Sequence, residues 1–181
     1  MTTSAELLDL VVAALRVDGA TVAGSRVYRP GDRPTQNDQY PNWRARVVRE
    51  TKQSLGRGGG PAFTVTTTIR LIGEVSAIAA VGDDGAAAAE AELWQMQREA
   101  EVAIVGSYPL TSKISQIASI DSQLSYNSDG ETHLAGIQSD LALEFYQGPE
   151  NFAPIESDDL DEIDGRWPAF PPIGFAADLT R

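Results

Sequence analysis

The sequence contains no cysteine and only one histidine among its 181 residues. The absence of cysteine excludes disulfide bonds, zinc–thiolate sites, iron–sulfur clusters and thiol nucleophiles. The lone histidine, His133, cannot form a paired-histidine metal site, and a general base needs partners that converge on it. The sequence therefore predicts no metal, no cofactor and no enzymatic activity, and we expect His133 to be dispensable.

The N-terminal segment lacks the pattern of a signal peptide or of a membrane span. Its apolar residues are interrupted by Glu6 and Asp9, and no basic residue precedes them. Signal peptides need a basic start and an uninterrupted apolar stretch, and membrane spans need a longer one. We therefore expect a protein that is made and kept in a cytoplasm and has no membrane partner.

Other common functional motifs are also missing. The glycine-rich segment 56–60 is not followed by Lys-Ser or Lys-Thr, and it precedes a predicted strand where a phosphate-binding loop needs a helix. The acidic cluster at 158–164 lacks the glycine and the ligand spacing of a calcium-binding loop. A small hydrolase or transferase would need a polar cluster that the sequence does not contain.

The net charge of −12 is unevenly distributed along the chain. Basic residues outnumber acidic ones up to Gly73, and acidic residues outnumber basic ones beyond it. Two interpretations remain open. Oppositely charged patches favour stacking or ring formation, whereas an acidic surface by itself maintains solubility.

Hydrophobic periodicity predicts two amphipathic helices and five strands. The first helix follows a candidate N-cap at Ser4 and ends near Asp18, and the second covers 86–105. The strands lie at 26–29, 43–47, 63–75, 120–127 and 137–145. We predict an α+β fold in the order α-β-β-β-α-β-β, with a mostly antiparallel sheet and both helices packed on one face.

One face of the predicted strands is apolar, and we expect it to pack against the two helices as the core. That face comprises Trp43, Val47, Phe63, Val65, Ile69, Leu71, Leu141, Leu143 and Phe145.

The glycine-rich segment 55–61 separates two predicted strands and is long enough to project as the loop of an antiparallel hairpin. The basic residues on and beside this loop are Arg44, Arg46, Arg49, Lys52 and Arg57. Strand alternation places Arg44 and Arg46 on one face, where they can meet phosphates or an acidic protein surface. No DNA-reading motif accompanies them, so we expect a subunit or partner contact and no sequence-specific nucleic-acid binding.

The composition changes after residue 147, where proline and acidic residues become frequent. We predict one domain over 1–147 and an extended acidic, proline-rich arm over 148–181 without regular structure. The alternative is a disordered terminus, although Trp167, Phe170 and Phe175 are more apolar than a purely solvating tail requires.

Short segments between residues 7 and 154 resemble the tail-terminator family of long-tailed bacteriophages and prophages. They are 26–28, 34–35, 39–41, 52–54, 56–58, 61–65, 121–124, 133–135, 143–146 and 152–154. The resemblance depends on the order of elements and on these fragments, and it does not include the acidic arm.

The resemblance implies a ring, commonly a hexamer, that caps the tail tube, ends its polymerisation and forms the surface that joins the head. The implied partners are other copies of the chain, the tail-tube protein and a head-completion or connector protein, with DNA able to pass through the ring. The implied location is the virion tail, after assembly in the bacterial cytoplasm. The alternative is a head-to-tail connector or another minor tail component.

Overall fold

The computed structural model describes residues 2–30, 39–56, 61–78, 84–127 and 132–152. The chain divides into two units, Met1–Asn151 and Phe152–Arg181, and the fold below is that of the first. Its elements are α1 (Ser4–Leu15), β1 (Val27–Tyr28), β2 (Asn42–Ser54), β3 (Phe63–Ile78), α2 (Asp84–Val105), α3 (Tyr108–Thr111), β4 (Gln116–Asn127) and β5 (Thr132–Gln147). The predicted α+β class is confirmed.

The five strands form one sheet in the order β1-β2-β3-β5-β4. The pairs β2–β3, β3–β5 and β4–β5 are antiparallel, so the predicted hairpin at 55–61 joins an antiparallel pair. β1 is parallel to β2, which makes the sheet mixed. The sheet is therefore mostly but not wholly antiparallel, and apolar alternation does not indicate strand direction. The connection 29–41 between β1 and β2 is long enough for the crossover that parallel strands need.

Both long helices differ from the prediction at their N-termini. The N-cap of α1 is Thr3, whose side chain accepts a hydrogen bond from the Glu6 backbone N–H at 3.2 Å, so the proposed cap at Ser4 is wrong by one residue. α2 begins at Asp84, two residues earlier than expected. The four-residue α3 was not predicted, although Ser107 and Pro109 are typical of a helix start.

The core lies between the sheet and the helices: α1 contacts β2, and α2 contacts both β3 and β5. Of the nine expected sheet residues, Val47 and Phe63 are partly buried and the others are buried. On the helix side, Leu7, Val11 and Leu15 of α1 and Leu93, Met96 and Ile104 of α2 complete the core.

A buried polar contact fixes α2 against the sheet. Ser139 of β5 is fully buried and donates its hydroxyl to Gln97 Oε1 of α2 at 2.6 Å. The same hydroxyl lies 2.9 Å from the Ser122 hydroxyl of β4. Because a buried polar group without a partner is costly, these contacts favour one position of α2 over the sheet.

The segment after β5 begins with regular structure. A 3₁₀ helix covers Pro149–Phe152, and the Gly148 backbone N–H donates to Asn151 Oδ1 at 3.0 Å. The expectation that the chain is irregular from residue 148 is therefore wrong at its start. The rest of the predicted arm, 153–181, the turn at 128–130 and the side chain of His133 lie outside the described residues.

Among the helices that the structure describes, none is both long enough and apolar enough to cross a membrane.

Candidate assembly surface

One face of the sheet packs against the helices, and the other, which we call the open face, is polar. β3 alternates strictly: Val65, Thr67, Ile69 and Leu71 are buried towards the helices, while Thr64, Thr66, Thr68 and Arg70 are half-buried on the open face. Residues directly paired across strands share a face. Arg44, paired with Ile72, and Arg46, paired with Arg70, therefore lie on the open face, as alternation predicted.

A row of four charged residues crosses the open face. Arg46 of β2 pairs with Arg70 of β3, Arg70 pairs with Asp140 of β5, and Asp140 pairs with Asp121 of β4. Like charges directly opposite one another destabilise a sheet, and opposite charges stabilise it. The row is positive at the β2 side and negative at the β4 side, so the open face is electrically polarised across its width.

The centre of this row is a two-point ion pair. Arg70 Nε and Nη2 each donate to one Asp140 carboxylate oxygen at 2.7 Å. These hydrogen bonds lower the pKa of Asp140 below its usual value, partial burial opposes the shift, and the charges of Arg70 and Arg46 add to it. Arg70 is thus satisfied within the chain, whereas Arg46 is exposed.

A β-bulge at Val48 changes which later residues of β2 reach the open face. The pairing with β3 shifts between Val47 and Arg49, so Val48 is an extra residue and Arg49 pairs with Thr68. Arg49 consequently lies on the open face, where its Nε donates to the Thr51 hydroxyl at 3.2 Å. Strict alternation from Arg46 would have placed Arg49 on the helix side.

The same bulge moves Lys52 to the helix side, away from Arg44, Arg46 and Arg49. Lys52 pairs with the inward-facing Val65, and its Nζ donates to Gln147 Oε1 at 2.9 Å. Gln147 in turn donates to the Thr2 carbonyl at 3.1 Å. Lys52 is therefore connected through Gln147 to the residues before α1, and it lies on the opposite side of the sheet from Arg44, Arg46 and Arg49.

Arg57 lies outside the described residues, but the stem of its hairpin is described. The Leu55 backbone N–H donates to the Ala62 carbonyl at 3.0 Å, and Gly56 adopts a φ of +103° that favours glycine. We call Arg44, Arg46 and Arg49 the basic strand face. Beside it, Pro30, Arg44, Ala45, Arg46 and Ile72 line a notch of about 160 Å³, large enough for a carboxylate side chain.

The other side of the sheet is covered by an acidic helix layer, formed by α1 and α2. In the sequence of these two helices, residues 4–15 and 84–105, Arg98 is the one basic residue. The acidic residues there are Glu6, Asp9, Asp84, Glu90, Glu92, Glu99 and Glu101. The basic strand face and the acidic helix layer thus lie on opposite sides of one sheet.

The helix layer also contains an apolar groove of about 550 Å³ between the C-terminal half of α1, the end of α2 and α3. Its lining residues are Leu10, Ala13, Ala14, Val17, Ala20, Val102, Ala103, Gly106, Ser107, Tyr108 and Pro109. Tyr108 is 79% exposed and Val102 is 57% exposed. No sequence motif marks this groove, because it depends on how three helices meet.

The described residues contain no group of three His, Asp or Glu side chains placed to hold a metal ion. The described residues form the basic strand face, the acidic helix layer and the apolar groove, and such surfaces are suited to contacts with other proteins. No family model matches the sequence, and no curated protein is significantly similar to it.

Proposed function

We propose that this chain is a non-enzymatic structural protein that assembles head to tail into a closed ring. The observation that carries the proposal is the opposition of the basic strand face to the acidic helix layer across one sheet. A surface that matches a different surface on the next copy makes a heterologous contact, and such contacts close into rings when the rotation allows it. Electrostatic complementarity then sets the register and speeds encounter.

In this arrangement, Arg46 and Arg49 of one subunit meet carboxylates of the helix layer of the next. Both arginines are exposed, and the notch beside Arg46 can receive a carboxylate side chain. Arg70 does not take part, because its guanidinium is held by Asp140. Lys52 acts within its own chain through Gln147.

We propose further that the ring is the tail terminator of a long-tailed phage, which binds the end of the tail tube, stops its growth and presents a surface to the head. The resemblance of the segments between residues 7 and 154 supports this step. Its partners are then the tail-tube protein and a head-completion or connector protein. A head-to-tail connector or another minor tail component is the alternative, and the end of the tail to which the purified protein binds separates the two.

The experiment is charge reversal in the double variant Arg46→Glu, Arg57→Glu. The fold is expected to survive, because Arg46 is exposed on the open face and Arg57 belongs to the glycine-rich sequence between β2 and β3, while ring formation and uniform tail length are lost. Arg98→Glu is the matched control: it reverses an arginine whose side chain is 76% exposed on the acidic helix layer, where added negative charge keeps the complementarity, so rings and uniform tails are expected to remain. Normal rings and tails of uniform length from the double variant would overturn the role of the basic strand face.

A further inference from the structure

We propose that the apolar groove between α1, α2 and α3 receives Leu55, from the β2–β3 hairpin of a second copy of this chain. The inference rests on the proposed head-to-tail association and names the contact that would hold it together.

The groove is unusual for a protein surface because exposed apolar side chains are concentrated there. Val17, Val102 and Tyr108 are all more than half exposed, and the remaining walls are mostly alanine, leucine and proline. Scattered apolar residues on a surface need no explanation, whereas a contiguous apolar patch marks a binding surface.

The matching apolar group is Leu55. It is 59% exposed, more than any other large apolar side chain described outside the immediate region of the groove. Its backbone position is fixed by the hydrogen bond to Ala62, so the side chain is presented at the stem of the hairpin. A side chain on a fixed backbone segment loses less conformational entropy on binding than one on a mobile loop.

Leu55 and the groove lie at opposite ends of the fold. Ser4, at the start of α1, donates its hydroxyl to the Glu50 carboxylate, near the end of β2. Arg16, at the other end of α1, donates to the carbonyl of Val27, which pairs with Trp43 at the start of β2. α1 and β2 therefore run in opposite directions, and the groove lies beside the start of β2.

This geometry excludes a contact within one chain. α1 is about 18 Å long at 1.5 Å per residue, and Leu55 lies a further 16 Å or so beyond Glu50 at about 3.3 Å per residue. Leu55 can reach a groove only on another copy. A protruding side chain at one end and a groove at the other allow a head-to-tail, heterologous contact, which closes into a ring when the rotation between copies permits it.

The charges beside the groove and on the hairpin also favour a contact between Leu55 and the groove of another copy. Asp18 follows Val17 at the groove, and Glu99 lies one turn before Val102 on α2. Two cations beside the groove are already engaged: Arg16 donates to the carbonyl of Val27, and Arg98, one turn before Val102, pairs with Glu101 at 3.7 Å. The incoming hairpin carries Arg49 on its open face, so a basic strand approaches an acidic layer.

The test uses the absence of native cysteine, which makes introduced thiols unique. The double variant Leu55→Cys, Val102→Cys is treated with a short bis-maleimide linker and separated under denaturing conditions. We expect a series of covalent oligomers that extends beyond the dimer. A mixture of the single variants Leu55→Cys and Val102→Cys is expected to give covalent dimers only, because each subunit then carries one thiol.

The matched control is Leu55→Cys, Trp94→Cys, since Trp94 is 48% exposed on α2 but does not line the groove. Cross-linking of the Val102 pair no greater than that of this control would overturn the inference. Products that stop at the dimer would overturn it as well, because they indicate a two-fold contact.

A second measurement separates this inference from the ring proposal. Ala13→Trp places a large side chain in the groove from an exposed position of α1. Leu55→Asp replaces the apolar side chain that the groove would receive. Each variant is expected to have the mass of a single subunit in solution. If the unmodified chain forms rings and both variants still form them, the contact between Leu55 and the groove is wrong, while the proposal of a ring is retained. If the unmodified chain is monomeric and cross-links only at the control level, both proposals fail.

Discussion

Gly73 of β3 lies directly opposite Trp43 of β2, and the indole ring covers the place where a side chain would begin. A Cβ on Gly73 would lie 2.8 Å from the indole Cζ3 and 2.9 Å from Ile137 Cγ2. Trp43 is fully buried, so a side chain at this position would force the packed indole or the strand to shift, and packing therefore favours glycine.

Gly73→Ala is therefore expected to destabilise the fold by about 1 to 3 kcal/mol, the usual cost of overpacking. This exceeds the gain of about 0.4 to 1 kcal/mol from a less flexible unfolded chain. Gly136→Ala is the control, because the nearest atom to its Cβ lies 3.5 Å away. Urea unfolding measures both, and equal stability of the two variants would contradict the packing of Trp43.

Leu71→Ala and Leu143→Ala should each reduce the free energy of unfolding by about 2 to 5 kcal/mol, because both side chains are buried between sheet and helices. Thr66→Ala, on the open face, should change it by less than about 0.5 kcal/mol. An unchanged melting temperature for both leucine variants would mean that the other face of the sheet is the core.

The Arg70–Asp140 pair predicts a pH dependence. The pKa of Asp140 is lowered in the folded state, mainly by the hydrogen bonds from Arg70. Its contribution to stability is therefore present above the unfolded value of about 4, and it is lost as the pH falls through the folded value. Asp140→Asn should cost stability at pH 7 and progressively less below pH 4.

Urea unfolding of the two proteins at several pH values measures this difference. Arg70→Gln removes the same pair from the other side, so the combined variant should lose little more than either single one. A difference between the natural chain and Asp140→Asn that is constant with pH would contradict the ion pair.

The β-bulge at Val48 predicts different roles for two neighbouring basic residues. Lys52→Met leaves the buried Gln147 Oε1 without its donor and should cost about 1 to 3 kcal/mol. Arg49→Met, on the open face, should change stability by no more than about 0.5 kcal/mol. Thermal unfolding of both variants tests the register, and the reverse ranking would mean that the bulge lies elsewhere.

Periodicity predicted the presence of the two long helices and the four longer strands, because each contains several turns or alternations, but it did not predict their bounds: β2 continues to Ser54 and β5 begins at Thr132. β3 is the clearest case: its apolar and polar residues alternate from Phe63 to Arg70, and its buried and half-buried residues largely follow that alternation. α3 is too short for such a signal, and alternation does not tell the direction of a strand, so the existence of α3 and the parallel pairing of β1 come only from the tertiary structure.

The candidate surface was predictable only up to the bulge. Arg44 and Arg46 precede it, and their shared face follows from alternation. Arg49 and Lys52 follow the bulge, so alternation assigns them to the wrong faces. A valine at position 48 gives no sign in the sequence of an extra residue in the strand. Alternation in β3 correctly predicted the face on which Arg70 lies. Its ion pair with Asp140 could not be predicted, because it depends on the register between β3 and β5, which are distant in sequence.

The central claim is head-to-tail closure, and the mass of the purified, unmodified chain in solution tests it most directly. Native mass spectrometry or sedimentation equilibrium, on the chain alone and with tail-tube protein, is expected to give one closed ring, because a heterologous contact closes when the rotation permits it. The resemblance to tail terminators implies a hexamer. A mass that remains that of one subunit under both conditions, or a two-fold dimer, would contradict the account.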